Sequence, residues 1–139
     1  MYKIIDNKHT KLVIDYEHIA DKYIIVTELI YNNNKINAKS LVDTGANCSC
    51  ISKRIANYLN LMPIDVVTIN TPSGSAIVNV YAIDIVINNE VQIMDVRVCD
   101  SDIGNQGIDL LLGTDIISLG NLNITNNDKT IFSFEIPAK

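Results

Sequence analysis

An Asp-Thr-Gly that follows directly on two aliphatic residues constrains this chain more than any other feature. In Leu41-Val42-Asp43-Thr44-Gly45-Ala46-Asn47-Cys48-Ser49 the aliphatics read as the end of a strand, so the Asp43 carboxylate is carried by packed backbone and not by a mobile loop. Gly45 lets a second chain approach the backbone closely, and the Thr44 hydroxyl can bridge groups across such an approach. Taken alone, the tripeptide reads equally well as a plain strand-ending turn, so its surroundings have to choose.

Size enters next. A chain of 139 residues is one domain and buries roughly two-thirds of its unfolded surface. That suffices for one core, but not for a two-lobed enzyme carrying both halves of a site. The formal charge of -5, with only 11 Lys plus Arg, argues against a nucleic-acid partner or an anionic membrane, while a basic peptide would be tolerated. No signal series opens the sequence and no apolar run approaches about 18 residues, so a cytoplasmic location is expected. Three cysteines make no disulfide framework. Cys48 and Cys50, with only His9 and His18 far upstream, make a poor zinc set and read as small buried side chains beside the Asp43 loop; Cys99 reads as a core residue of a strand. No metal and no cofactor are expected.

The rest of the chain reads as short β-runs punctuated by Asn, Gly and Pro. Residues 1–21 form an extension whose apolar pieces, Ile4-Ile5 and Leu12-Val13-Ile14, suit either a hairpin or strands pairing with a partner subunit; His9 and His18 read as surface residues. The main domain is expected over 22–136, with a tail at 137–139. Strands over 23–31 and 36–42, joined by Asn32-Asn33-Asn34-Lys35, would deliver the Asp43 loop. Ser52 suits a helix N-cap ahead of an apolar stripe of Ile55, Ala56, Tyr58 and Leu59, stopped by Asn60 and Pro63. A hairpin follows over 66–86, its tip within Asn70-Thr71-Pro72-Ser73-Gly74-Ser75. After a turn at Asn88-Asn89, a strand over 91–98 sets Met94, Val96 and Val98 against Asp95 and Arg97. A loop over 100–107, a strand over 108–112 and a helical turn over 116–119 come next, with Asp109 and Asp115 read as capping or salt-linking residues. A last hairpin places Phe132, Phe134 and Ile136 on one dry face, either core or intersubunit contact.

Two elements occur in a telling order: Leu41-Val42-Asp43-Thr44-Gly45-Ala46 with Ser49 and Ile51-Ser52 behind it, then Asp109-Leu110-Leu111-Leu112-Gly113-Thr114-Asp115-Ile116-Ile117. Together they resemble the retropepsin-like, retroviral-type aspartic proteases of the single-domain bacterial kind, over residues 23–134. The resemblance implies an all-β fold, a retropepsin-like closed β-barrel or sandwich with one or two short helices and a flap hairpin, equivalent to one lobe of an aspartic protease. It implies catalytic roles for Asp43, Thr44 and Gly45, and substrate contacts from Ala46, Asn47, Thr71, Ser73, Gly74 and Ser75, with Ser73-Gly74-Ser75 as flap tip. Leu111, Leu112, Gly113 and Asp115 would support the catalytic loop from behind. Pro72 departs from the Gly-richer tips of viral relatives and would stiffen one arm.

Hydrolysis by aspartates needs two carboxylates sharing a proton. With one Asp-Thr-Gly per chain, a symmetric homodimer acting on a peptide or protein substrate is the expected solution. Three other readings stay open: a catalytically silent peptide-binding or dimerisation domain, a metal-dependent hydrolase built on Asp43, Asp109 and Asp115 without a histidine, and a structural β-protein whose loop is coincidental.

Overall fold

Asparagine does most of the turning. In the computed structural model, which describes residues 3–4 and 8–137, Asn32 and Asn33 take φ of 48° and 67° between strands β3 (Ile24–Tyr31) and β4 (Asn34–Val42). Two left-handed residues in succession match the right-handed twist of the flanking strands, and Asn tolerates that region better than other non-Gly residues. The turn is therefore two residues long, and β4 starts earlier than the four-residue turn in the sequence suggests. Asn88 and Asn89, at 53° and 55°, turn the chain between β7 (Gly74–Ile87) and β8 (Val91–Ser101).

These two hairpins form most of a closed ring. Strand β3 pairs with β4 on one side and β7 on the other; β7 pairs with β8. Strand β5 (Cys50–Ser52) lies parallel to β8 and antiparallel to β9 (Leu110–Leu112), and β9 lies parallel to β4, which completes a six-stranded barrel. Its interior is aliphatic: Ile25, Leu29, Ile51, Ile83, Ile85 and Leu110 are each at most 2% exposed. Strand β6 (Asp65–Thr71) continues beyond the ring, paired among the described residues only with the first half of β7.

The ends of the chain close one face. The piece at Lys3–Ile4, β1, pairs with β8, whereas β2 (Thr10–Asp15) pairs with β11 (Thr130–Ile136), itself the partner of β10 (Asn121–Asn126). The two N-terminal pieces thus join different sheets and do not form a hairpin with each other. Phe132 and Phe134 are buried within the single chain, at 0% and 4% exposed. Residues 1–2, 5–7 and 138–139, including Ile5 and the end of the expected tail, lie outside the described residues.

Three local expectations change. Helix α1 (Lys53–Tyr58) is capped as foreseen, the Ile55 N–H donating to Ser52 Oγ at 3.2 Å, but Tyr58 is 65% exposed because only Ile55, Ala56 and Leu59 share the inward side. Met94 is half-buried, because a bulge interrupts the β7–β8 register between Ile83 and Ile85 and shifts the phase of β8. The buried positions run Val91, Ile93, then Val96, Val98, around Asp95 at φ 54°. Asp84 fixes the bulge, accepting the Asp95 N–H at 3.0 Å and Gln92 Nε2 at 2.7 Å. Finally, the loop over 100–107 is partly ordered, by the end of β8 and a 3-10 turn at Ile103–Gln106, so the next strand begins only at Leu110; helix α2 is Thr114–Ile117. Among the described residues no helix is long and apolar enough to cross a membrane.

Candidate active site

Strand β4 runs through the barrel wall between β3 and β9 and ends at Val42, so the next residue, Asp43, leaves the wall with its backbone still held. The Asp43 N–H donates to Leu112 O at 2.9 Å, and the Val42 N–H to Tyr23 O at 2.9 Å. The chain then folds back on the carboxylate: the Gly45 N–H donates to Asp43 Oδ1 at 2.8 Å, and the Ala46 N–H to Asp43 O at 3.3 Å. An Asp at the head of a tight turn gains this bond from its own loop. Asp43 is half-buried, Thr44 and Gly45 are exposed, and among the described residues Asp43 Oδ2 has no partner.

Behind this turn the second sequence element is fastened to the first. Leu111 and Leu112 stand beside Leu41 and Val42 in the parallel β4–β9 ladder, and the Thr114 N–H donates to Ala46 O at 2.8 Å. Ser49 is fully buried; its N–H donates to Asp115 Oδ2 at 3.0 Å, its hydroxyl donates to Asp115 Oδ1 at 2.8 Å and accepts from the Gly113 N–H at 3.2 Å. The Ile116 N–H also donates to Asp115 Oδ1, at 3.0 Å. Gly113 admits the loop at close quarters: a Cβ there would stand 2.8 Å from Ala46 O and 3.0 Å from the Cys48 carbonyl carbon and oxygen. Asp115 stands in the first turn of α2, near its expected place, but most of its bonding goes to Ser49, a partner that no local pattern announces. Asp109 lies elsewhere, paired with Arg54 and accepting the Lys39 N–H at 3.1 Å.

The three thiols flank the same corner. Cys50 and Cys99 face each other across β5 and β8. Burial, then the neighbouring Cys48, pushes the Cys50 thiol up to about 12 and the Cys99 thiol up to about 11. Both stay protonated at neutral pH, which suits packing and not nucleophilic attack. Among the described residues no three His, Cys, Asp or Glu side chains assemble into a group that could hold a metal ion.

A cleft of about 320 Å³ opens beside Asp43, lined by Asp21, Lys22, Tyr23, Leu41, Val42, Asp43 and Thr44. Asp21 and Lys22 escaped the sequence reading because they belong to no motif and sit at the edge of the N-terminal extension. Asn47 is exposed on the loop, and the Ala46 carbonyl is occupied by Thr114. Ser73, Gly74 and Ser75 are exposed at the far end of the β6–β7 hairpin and do not line this cleft; the side chain of Thr71 lies outside the described residues. The hairpin turns at Pro72-Ser73, one residue earlier than expected, and Gly74 opens β7 at φ 123°.

Comparison with known proteins gives the same picture. The structure is similar to the crystal structure of a retropepsin-like aspartic protease from Rickettsia conorii, with 18% identity, TM-score 0.60, and 98% of this chain and 96% of that one covered. Less similar are the solution structure of simian foamy virus (mac) protease, at 21% identity, TM-score 0.49 and 69% and 92% coverage, and the retroviral protease-like domain of Ddi1 from Leishmania major, at 16%, 0.46, and 78% and 93%. No curated protein sequence matches this chain. The profile of the gag-polyprotein putative aspartyl protease family matches residues 29–119, more than half of the sequence and both motif elements. On that match the chain belongs to the gag-polyprotein putative aspartyl protease family, with the single-domain retropepsin-like fold.

Proposed function

We propose that this chain is an aspartic endopeptidase that works as a symmetric homodimer, with the two Asp43 carboxylates sharing one proton across the two-fold axis. The observation that carries the reading is the Asp43 turn: a carboxylate held at its backbone by β9 and at Oδ1 by the Gly45 N–H, with no partner to Oδ2 among the described residues, on a residue that lines a cleft. A single chain offers half of such a site. In the pair, the ionised carboxylate takes a proton from a bound water, which attacks the peptide carbonyl, and the protonated one donates to the developing oxyanion. The roles exchange between subunits. Thr44 ties the two turns together, Gly45 leaves room for the substrate backbone, and Ala46 and Asn47 meet the peptide as it runs past the turn. The β6–β7 hairpin acts as a flap, with Thr71, Ser73, Gly74 and Ser75 closing over the peptide as an added strand. Residues 22–136 carry the catalytic residues, with Asp21 just ahead of them at the cleft, the strands of the preceding segment add to the subunit contact, and the enzyme works in the cytoplasm.

Asp43→Asn tests this. It removes both carboxylates of the pair while keeping their shape, so peptide hydrolysis falls by several orders of magnitude while the dimer persists, as sedimentation would record. In the parent, kcat/KM follows a bell-shaped pH profile with its maximum on the acidic side of neutrality, because the working species carries one proton between two groups. Residual hydrolysis in Asp43→Asn, or full activity in a proven monomer, would overturn the shared-proton reading.

A further inference from the structure

We propose that Asp21 is a specificity-determining residue whose carboxylate reads a lysine or arginine side chain of the peptide lying across Asp43. The inference rests on the cleft's proposed role in taking peptides and names the substrate class it prefers.

Three observations carry it. Among the described residues, Asp21 and Lys22 are the only charged residues besides Asp43 that line the cleft, so whatever occupies it meets them next to the proposed reacting carboxylate. Both are exposed and, among the described residues, neither makes a hydrogen bond or an ion pair within the chain, so their charges are not spent on the fold. Their backbone is nevertheless fixed at both ends. Upstream, the buried Ala20 N–H donates to Thr130 Oγ1 at 2.8 Å, and the Thr130 N–H donates to His18 O at 2.8 Å. Downstream, Tyr23 O accepts the Val42 N–H at 2.9 Å, and the Tyr23 ring stacks on Phe132 with centroids 6.0 Å apart. Two unpaired charges on an anchored bend beside a carboxylate are placed to meet a ligand.

The sign follows from side-chain length. Asp21 has a single methylene between backbone and carboxylate, so fixing the backbone fixes the charge; Lys22 carries its ammonium on a flexible four-carbon stem that swings to solvent. The formal charge of -5, doubled by a second copy, raises the local concentration of cationic segments. A basic side chain near the bond facing Asp43 therefore finds a fixed partner, and an acidic one is repelled.

The test uses the full chain and a randomised decapeptide library, with cleavage sites read by mass spectrometry for the parent, Asp21→Asn and Asp21→Lys. A second arm retains library peptides on immobilised Asp43→Asn protein, with and without Asp21→Asn. The parent is expected to favour Lys and Arg over Gln near the cleaved bond, Asp21→Asn to lower that preference about five- to tenfold, and Asp21→Lys to turn it toward Glu. An unchanged preference in Asp21→Asn overturns the role of Asp21 and leaves the peptidase reading standing. So does an equal loss for basic and neutral peptides, or a change only in the dimer dissociation constant. Retention of basic peptides that depends on Asp21, with no cleavage by the parent, supports Asp21 and overturns the peptidase. If the parent cleaves no peptide and Asp43→Asn retains none, both fall.

Discussion

The turn that carries Asp43 and the far end of the β6–β7 hairpin are both reached from the same barrel, yet they are held in opposite ways. At the turn, buried Ser49 and Gly113 and half-buried Asp115 make a connected set of hydrogen bonds, flanked by those to the Leu112 and Ala46 carbonyls, with little space left around it. At the hairpin, the two strands pair with each other, Ser75 Oγ donating to Asn70 Oδ1 at 3.3 Å, and among the described residues no third strand flanks them there; Val66 is 55% exposed and Ile77 is 75% exposed, although both are apolar. A satisfied buried polar network has essentially one geometry, whereas a two-stranded ribbon without a packed layer is marginal on its own. The contrast teaches that the fold concentrates its fixed geometry around the Asp43 carboxylate and leaves the hairpin unpacked, as the proposed flap role requires.

The hardest way to break the first half of that contrast is Gly113→Val. The new Cβ would meet backbone atoms of Ala46 and Cys48 at 2.8 to 3.0 Å, and neither segment can yield without breaking bonds to Asp115 or Thr114. Unfolding free energy in urea is expected to fall by about 3 kcal/mol, at the upper end of overpacking costs. A loss below about 1 kcal/mol would mean that the corner yields more easily than its geometry says.

Gly74→Val probes the second half. Gly74 has φ 123°, a region closed to β-branched residues, but a Cβ there has no neighbour within 4 Å. The local strain, about 1 to 3 kcal/mol, is relieved by re-forming a turn that little else leans on, so global stability shifts by less than about 1 kcal/mol. On the proposed flap role, the rate of peptide cleavage is expected to fall all the same, since the tip would no longer close in its native shape. Urea melts alongside a rate assay would check both, and an unchanged rate would reduce the hairpin to plain surface.

What the sequence disclosed follows the same division. The Asp43 turn and the aliphatic strand behind it were legible because both are set by short runs in which each residue type has one use: aliphatics for the wall, Gly where backbones touch, Asp where N–H groups converge. The β8 phase was not legible. Met94 and Val96 alternate with Asp95 and Arg97 as a plain strand should, and only Asp84, from the neighbouring strand, makes the bulge at Asp95. Asp21 was hidden for a related reason: its bend is placed by Thr130, a partner 110 residues from Ala20. Ser49 stood within the first motif, but its partnership with Asp115 spans 66 residues. Local chemistry is written locally, while register and long-range anchoring depend on residues that only the fold brings together.

The smallest expected effect sharpens the comparison through pH. Burial, followed by the neighbouring Cys48, raises the Cys50 thiol from 9.0 to about 12, and Cys99 is raised from 9.0 to about 11 in the same corner; the hairpin has no cysteine at all. A raised thiol favours the neutral form in the folded state. Its contribution is fully present below the unfolded value near 9, and it is lost as pH rises from there toward the folded values, because the unfolded chain ionises first and the folded chain resists. Melting temperature should therefore decline above about pH 9 more steeply in the parent than in Cys50→Ala. Comparing slopes and not absolute values removes the cavity that the substitution leaves, and tyrosine ionisation is common to both proteins. Since Cys50 is half-exposed, solvent screens part of the effect, and the difference should be modest. Parallel slopes would mean that water reaches the thiols freely, and that the corner holding Asp43 is no drier than the hairpin it is contrasted with.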